Sequence, residues 1–231
     1  MKNLIEYLGD IINSINIISL KQKGEIILSE DDKSAKLKEL KIKYNVDDYD
    51  IFLMTLDVNN FIIKNKNEGI YSCFQIHTCS SMDYILFAKN KRDSKYHIYH
   101  LELKSKTVHS EDILKKHVTS LETLKFILSM IYFKSIKDNV KIEDFPEKFY
   151  HKVVVFNMKK SGHPQNKMKL EGYNNINAYK GKFKNEYKYF TYGVTCNSNG
   201  YSIDKIYLRN LFEDGKNFFT EKLEIKKMIY N

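Results

Sequence analysis

Residues 83–104 constrain the fold more tightly than any other stretch of this chain. Asp83 opens a short apolar run, a polar turn follows, and a second apolar run ends in Glu102-Leu103-Lys104. Side chains of a β-strand point alternately to its two faces. Over Tyr96–Lys104 that alternation sends Tyr99, Leu101 and Leu103 one way and Ile98, His100, Glu102 and Lys104 the other. The pattern predicts a hairpin whose second strand carries Glu102 and Lys104 on one face, about 7 Å apart at Cα. Leu101 and Leu103 anchor that strand from behind.

The segments after the hairpin set the fold class. Ser110 reads as a helix N-cap, with Glu111 and Asp112 in the first turn, where the helix dipole favours acids. Leu114, Val118, Leu121, Leu124, Leu128 and Ile131 then recur at steps of three and four, predicting a long helix with one stripe on a sheet. Tyr150–Met158 (YHKVVVFNM) reads as a short apolar strand, as expected of a central strand covered on both faces. With a further strand over Tyr71–His77, the order is strand, strand with Asp83, strand with Glu102 and Lys104, helix, strand. That predicts an α/β fold with a central mixed sheet flanked by helices.

The flanking segments are less patterned. Leu4, Leu8, Ile11, Ile12 and Ile15 predict an amphipathic helix over residues 3–18. Leu37, Leu40 and Tyr44 predict a second helix over 33–44, and residues 51–64 read as one or two strands broken near Asn59-Asn60. Residues 159–188 read as a basic loop: eight lysines (Lys159, Lys160, Lys167, Lys169, Lys180, Lys182, Lys184 and Lys188) face two acids, Glu171 and Glu186, among several tyrosines. The tail reads as a strand over Tyr189–Cys196, a turn at Asn197–Gly200, a strand over Ile203–Leu208 and a final basic helix. The chain is expected to form a single domain: an N-terminal helical region (1–69), a core (70–158) and a basic C-terminal extension (159–231).

Charge narrows the partner. A net charge of +9 favours an anionic partner, nucleic acid before a membrane surface. A basic segment interleaved with aromatics suits a nucleic-acid backbone, so the eight lysines are candidate contacts. Glu6 and Asp10 interrupt any signal-like apolar region, and no run approaches a membrane span of roughly 20 residues. Cys73, Cys79 and Cys196 cannot all pair with one another, so reduced thiols in a cytoplasm are expected. No Gly-rich phosphate loop and no Gly-x-Ser-x-Gly motif occurs, which disfavours an NTPase or a serine hydrolase.

The hairpin supplies the chemistry. Two carboxylates converging from adjacent strands make a hard oxygen site suited to Mg²⁺, or to Mn²⁺. Asp83 and Glu102 are the expected ligands, with the backbone carbonyl of Leu103 as a third. Lys104 is placed to orient the attacking water and to stabilise charge on a phosphodiester. Asp83, Glu102 and Lys104 are therefore the candidate catalytic residues.

Asp83-Tyr-Ile-Leu-Phe, then Leu101-Glu102-Leu103-Lys104-Ser105, then a Ser/Thr/Leu-rich helix resembles the PD-(D/E)XK nuclease superfamily, above all its small phage and mobile-element members. The resemblance spans residues 70–158. It implies a restriction-endonuclease-like core, a divalent metal and hydrolysis of DNA or RNA. Asp83 matches the first acid of the motif, Glu102 the second and Lys104 the lysine. Met82 replaces a frequent proline and Ser105 a usual glycine. Relatives often carry a Gln in the following helix, where His117 or Thr119 stands here, and a glutamate on the first helix, for which Glu25, Glu39 and Glu68 are candidates.

The expected activity is thus a Mg²⁺-dependent nuclease, DNA favoured over RNA and endonuclease over exonuclease, compatible with a homodimer and with a restriction or mobile-element defence role. The alternative is a non-catalytic nucleic-acid-binding protein on the same fold. Cys73, His77 and Cys79, with His97 or His100, could compose a zinc site, but the spacing fits no compact knuckle and structural cysteines are favoured. His100 shares the face of Glu102 and reads first as a structural histidine.

Overall fold

A computed structural model describes residues 4, 5, 8, 24–30, 33–55, 81–105, 107–139, 145, 148–158, 168–172, 188–212 and 219–222. The predicted hairpin is present. Strands β4 (Tyr84–Asn90) and β5 (Tyr96–Lys104) pair antiparallel, from Tyr84 opposite Leu101 to Lys89 opposite Tyr96. The turn between them is built by short polar side chains. Asn90 Oδ1 accepts from the Arg92 N–H and Asp93 Oδ1 from the Lys95 N–H. Helix α1 (Ser110–Lys137) then returns the chain to β6 (Lys148–Met158), which runs parallel to β5.

Around this unit the sheet grows to seven strands. Its path is β3 (Tyr49–Thr55), β4, β5, β6, β8 (Lys188–Val194) and β7 (Met168–Gly172), with β10 (Phe219–Lys222) pairing the first half of β6. The sheet is mixed: β5, β6 and β8 are parallel, whereas β3, β4 and β7 run against their neighbours. A second mixed sheet joins β1 (Glu25–Ser29), β2 (Glu39–Lys43) and the two-residue β9 (Ile206–Tyr207), which leads into a short helix α2 (Leu208–Phe212). The architecture is α/β. None of the helices described is long and apolar enough to cross a membrane.

The alternation along β5 divides the core in two. Tyr99, Leu101 and Leu103 join Leu86, Val154, Phe156 and Tyr192 in packing against Ile26, Leu28, Leu40 and Ile42 of the small sheet. On the opposite face Phe52, Ile85, Phe87 and Ile98 meet Leu124, Leu128 and Ile131 of α1, together with Leu4 and Leu8. Each such side chain, fully buried, contributes about 1.5–3 kcal/mol.

Several sequence expectations are corrected. The helix over 33–44 is absent; Glu39–Lys43 is a strand antiparallel to β1. Leu40 and Ile42 are its buried positions, a period of two that overrides the helical spacing of Leu37, Leu40 and Tyr44. Among the described residues, the sheet is covered by α1 on one face and by a second sheet on the other. Ser110 is not the N-cap: His109 takes that position without a side-chain cap, and Ser110 Oγ lies 2.8 Å from the Tyr189 hydroxyl. The strand beside β4 is Tyr49–Thr55, and the one expected over Tyr71–His77 lies outside the described residues. The 159–188 loop contains β7, and strands from 168–222 complete both sheets, so this region is not merely appended to the core. The strand over Ile203–Leu208 shrinks to β9 before α2, and within the stretch read as a final helix Phe219–Lys222 is a strand.

Phe156 lies at the centre of this packing, fully buried on β6 with its ring 5.9 Å from that of Tyr192. Phe156→Ala is expected to lower unfolding free energy by about 3–5 kcal/mol. Urea denaturation of the two proteins measures this, and a decrease of less than about 1 kcal/mol would contradict a central position for β6.

Candidate active site

Asp83 stands just before β4, where the hairpin ladder runs out. Tyr84 opposite Leu101 is the last pair, and beyond it the Leu103 N–H donates to Asp83 Oδ2 at 2.7 Å. The carboxylate thus substitutes for a ladder partner, which fixes it beside Glu102. Neighbouring contacts hold both flanks of Asp83. The Met82 N–H donates to Ser120 Oγ of α1 at 2.7 Å, and the Tyr84 hydroxyl exchanges hydrogen bonds with the backbone of Ser29 at the end of β1. Ser105 Oγ, just past β5, accepts from the N–H groups of Lys36 and Leu37, both at 2.8 Å, tying the small sheet to the same end.

Glu102 and Lys104 share the α1 face of β5, as the alternation requires. The Glu102 side chain is 1% exposed, and its Oε1 is 2.7 Å from Lys104 Nζ. A second ammonium arrives from α1. Lys116 Nζ is 2.5 Å from Glu102 Oε1 and 3.6 Å from Asp83 Oδ1. Two carboxylate oxygens bridged by one ammonium in this way are within roughly 6 Å of each other, close enough to interact strongly where water is scarce. Glu102 Oε2 is buried with no hydrogen-bond partner among the described residues.

The proton affinities follow from this crowding. Burial, and then the charge of Glu102, push the Asp83 carboxyl up to about 7, against the opposing pull of Lys116 and of the Leu103 N–H. Glu30, one residue past β1, adds a further upward push. Burial alone would lower Lys116, but the charges of Glu102 and Asp83 outweigh it and hold the ammonium above its ordinary value.

Asp83, Glu102 and Lys104 are therefore brought together, and Leu103 meets them through its N–H. Sequence reasoning missed Lys116. It looked for the helix contribution at His117 or Thr119, one and three residues after the position that reaches Glu102. It also missed Glu30. Of the acids considered, Glu25 opens β1 opposite Lys43 and Glu39 pairs with Lys41 at 3.6 Å, whereas Glu68 lies outside the described residues. Cys73, His77 and Cys79 also lie outside them. So do Lys159, Lys160, Lys167, Lys180, Lys182 and Lys184, while Lys169 and Lys188 fall on the paired strands β7 and β8.

The donor set fits a hard divalent cation. Two carboxylates converge, one buried oxygen has no hydrogen-bond donor among the described residues, and burial, then mutual repulsion, raises the proton affinity of one acid. Asp83 and Glu102 would hold Mg²⁺ or Mn²⁺ there. No family model matches the chain, and no curated protein or solved structure matches it.

The raised Asp83 value has a definite sign for stability. Folded Asp83 keeps its proton to about pH 7, whereas in the unfolded chain it loses it near 3.8. Between these values the native state binds the extra proton, so metal-free protein should lose stability as pH rises through that window and level off above it. Asp83→Asn should remove most of that slope. Urea denaturation in chelator at pH values of about 5 and 7.5 tests this; parallel behaviour of the two proteins would refute the Asp83 assignment.

Proposed function

We propose that this chain is a divalent-metal-dependent nuclease acting on DNA, built on a restriction-endonuclease-like core. The observation that carries the reading is the convergence of Asp83 and Glu102 on two lysines at one end of a mixed sheet. The supporting topology is a three-strand meander β3-β4-β5, a helix crossover and a parallel β6. The acids enter at the head of β4 and near the end of β5, as in the family that the sequence resembles.

The chain's own groups divide the work. Asp83 and Glu102 would hold the cation, and each is fixed in position: Asp83 by the Leu103 N–H and Glu102 by burial. When bound, the cation would neutralise phosphate charge and acidify a water ligand. Lys104, 27% exposed, reaches from Glu102 toward solvent, where its ammonium orients the attacking water and stabilises charge developing on the phosphate. Lys116 balances the charge of the two acids, and a bound cation would take over that role. The lysines of 159–188 bind the nucleic-acid backbone.

One observation favours a second reading. Lys116 already supplies both carboxylates with a counter-ion, as a degenerate site would. The alternative is a non-catalytic nucleic-acid-binding protein on the same fold.

Cleavage of supercoiled and linear DNA, and of RNA, with Mg²⁺ or Mn²⁺ separates the readings. The nuclease reading expects metal-dependent hydrolysis that falls by about 10²–10³ in Lys104→Ala, the effect of removing one electrostatic stabiliser, with the circular dichroism spectrum retained. Wild-type binding without hydrolysis under any metal would favour the alternative instead. In either case, neutralising Lys180, Lys182, Lys184 and Lys188 together should flatten the salt dependence of duplex binding, by roughly 0.9 in the log–log slope for each phosphate no longer neutralised. An unchanged slope would move the DNA path elsewhere.

A further inference from the structure

Beneath the acid cluster three histidines meet in the core. His100 lies on β5 two residues before Glu102, His117 on α1 directly after Lys116, and His151 on β6 opposite Ile98. Each is at most 1% exposed. Their ring centroids are 4.9, 5.6 and 5.5 Å apart, and one nitrogen from each lies within 4.8 Å of the others. Neither nitrogen of His100 has a hydrogen-bond partner among the described residues. Three separate elements thus each devote a buried position to an imidazole, aimed at one point, where aliphatic residues fill the neighbouring positions Ile98, Val153 and Val155.

We propose that His100, His117 and His151 form a buried binding site for a zinc-class transition-metal ion. Three points no more than 4.8 Å apart lie within about 2.8 Å of a common centre, and Zn–N bonds are about 2.0–2.1 Å. Small ring rotations close that gap. A set of three imidazoles suits Zn²⁺ and its neighbours in the transition series and not Mg²⁺ or Ca²⁺, which take oxygen ligands. An ion there would give one of the orphaned nitrogens of His100 its partner, because a buried polar group without one calls for an unseen water or ion. It leaves a fourth position for water. The site would lock α1 to β5 and β6 directly behind Glu102 and Lys116, so it supports the acid cluster without belonging to it.

The test uses the untagged full-length chain, stripped with a chelator and reloaded with Zn²⁺ alone. The proposal expects one zinc per chain retained through gel filtration. The zinc X-ray absorption spectrum should show a nitrogen shell at about 2.0–2.1 Å with imidazole scattering. Co²⁺ in its place should give the visible bands of a four-coordinate ion. His117→Asn, folded by circular dichroism, should bind zinc more weakly by more than the roughly 10–100-fold that removal of an outer partner brings. Asp83→Asn should bind zinc as the wild type does, which separates failure of this site from failure of the nuclease reading. Where a histidine variant does not fold, the wild-type absorption spectrum decides. A sulfur or all-oxygen first shell, no retained zinc, or undiminished binding in folded His117→Asn overturns the proposal.

Discussion

The charge of Glu102 is the constraint around which the rest of the molecule is arranged. A carboxylate with almost no exposed surface carries a desolvation cost of several kcal/mol, which only close, well-placed opposite charges offset. Lys104 is supplied by the alternation of β5 itself. Lys116 must come from another element, so it fixes the rotation and height of α1 over the sheet. With Lys116 on Glu102, Ser120 one turn on reaches the Met82 N–H, and Leu124, Leu128 and Ile131 fall onto Phe52, Phe87 and Ile98. Polar and apolar demands on the helix therefore agree, the consistency expected of a sequence that specifies one structure.

The opposite face of β5 explains why a second sheet is present at all. Tyr99, Leu101 and Leu103 need cover, and β1 and β2 provide it with Ile26, Leu28, Leu40 and Ile42. The small sheet also reaches around to the acid cluster. The Ser29–Tyr84 and Ser105–Lys36/Leu37 hydrogen bonds clamp it at the end of β5, and the residue after β1 is Glu30, whose charge acts on Asp83. Gly200 permits the close approach on its outer side. It has a φ of +85°, accepts a hydrogen bond from the Lys38 N–H at 2.9 Å, and any Cβ there would meet the Lys36 carbonyl oxygen at 2.5 Å.

How much of the fold and site is legible in the chain depends on which interactions are local. The hairpin was legible because a strict period of two holds over nine residues and its turn is built by adjacent Asn and Asp side chains. Helix α1 was legible because its stripe runs over many turns, and β6 because its valines are continuous. At 33–44 a helical spacing and a strand alternation share Leu40, and only pairing with β1, a non-local contact, decides for the strand. Ser110 has the chemistry of a cap, but a tertiary partner, Tyr189, takes its hydroxyl. Lys116 was hidden for another reason. In a chain with 38 Lys and Arg residues no lysine stands out, and which one faces β5 depends on a helix phase set by packing. Glu30 has no sequence signal, since its approach to Asp83 rests on docking of the small sheet.

Along β5 the residues of the α1 face change from dry to wet: His100 is fully buried, the Glu102 side chain is 1% exposed and Lys104 reaches 27%. Burial decides what each group can do. At the inner end a neutral imidazole is tolerated, and a charged side chain with no partner is not. In the middle a carboxylate survives because two ammonium groups reach it, and low local dielectric makes those contacts strong. At the rim a lysine keeps contact with both the acid and the solvent. The outer end therefore joins oxygen donors to solvent, and the inner end offers imidazole nitrogen. The two donor sets are only two residues apart on one strand, yet oxygen and imidazole select different metals. Filling the inner set would stiffen the seam between α1 and β5, on which the geometry of the outer set depends.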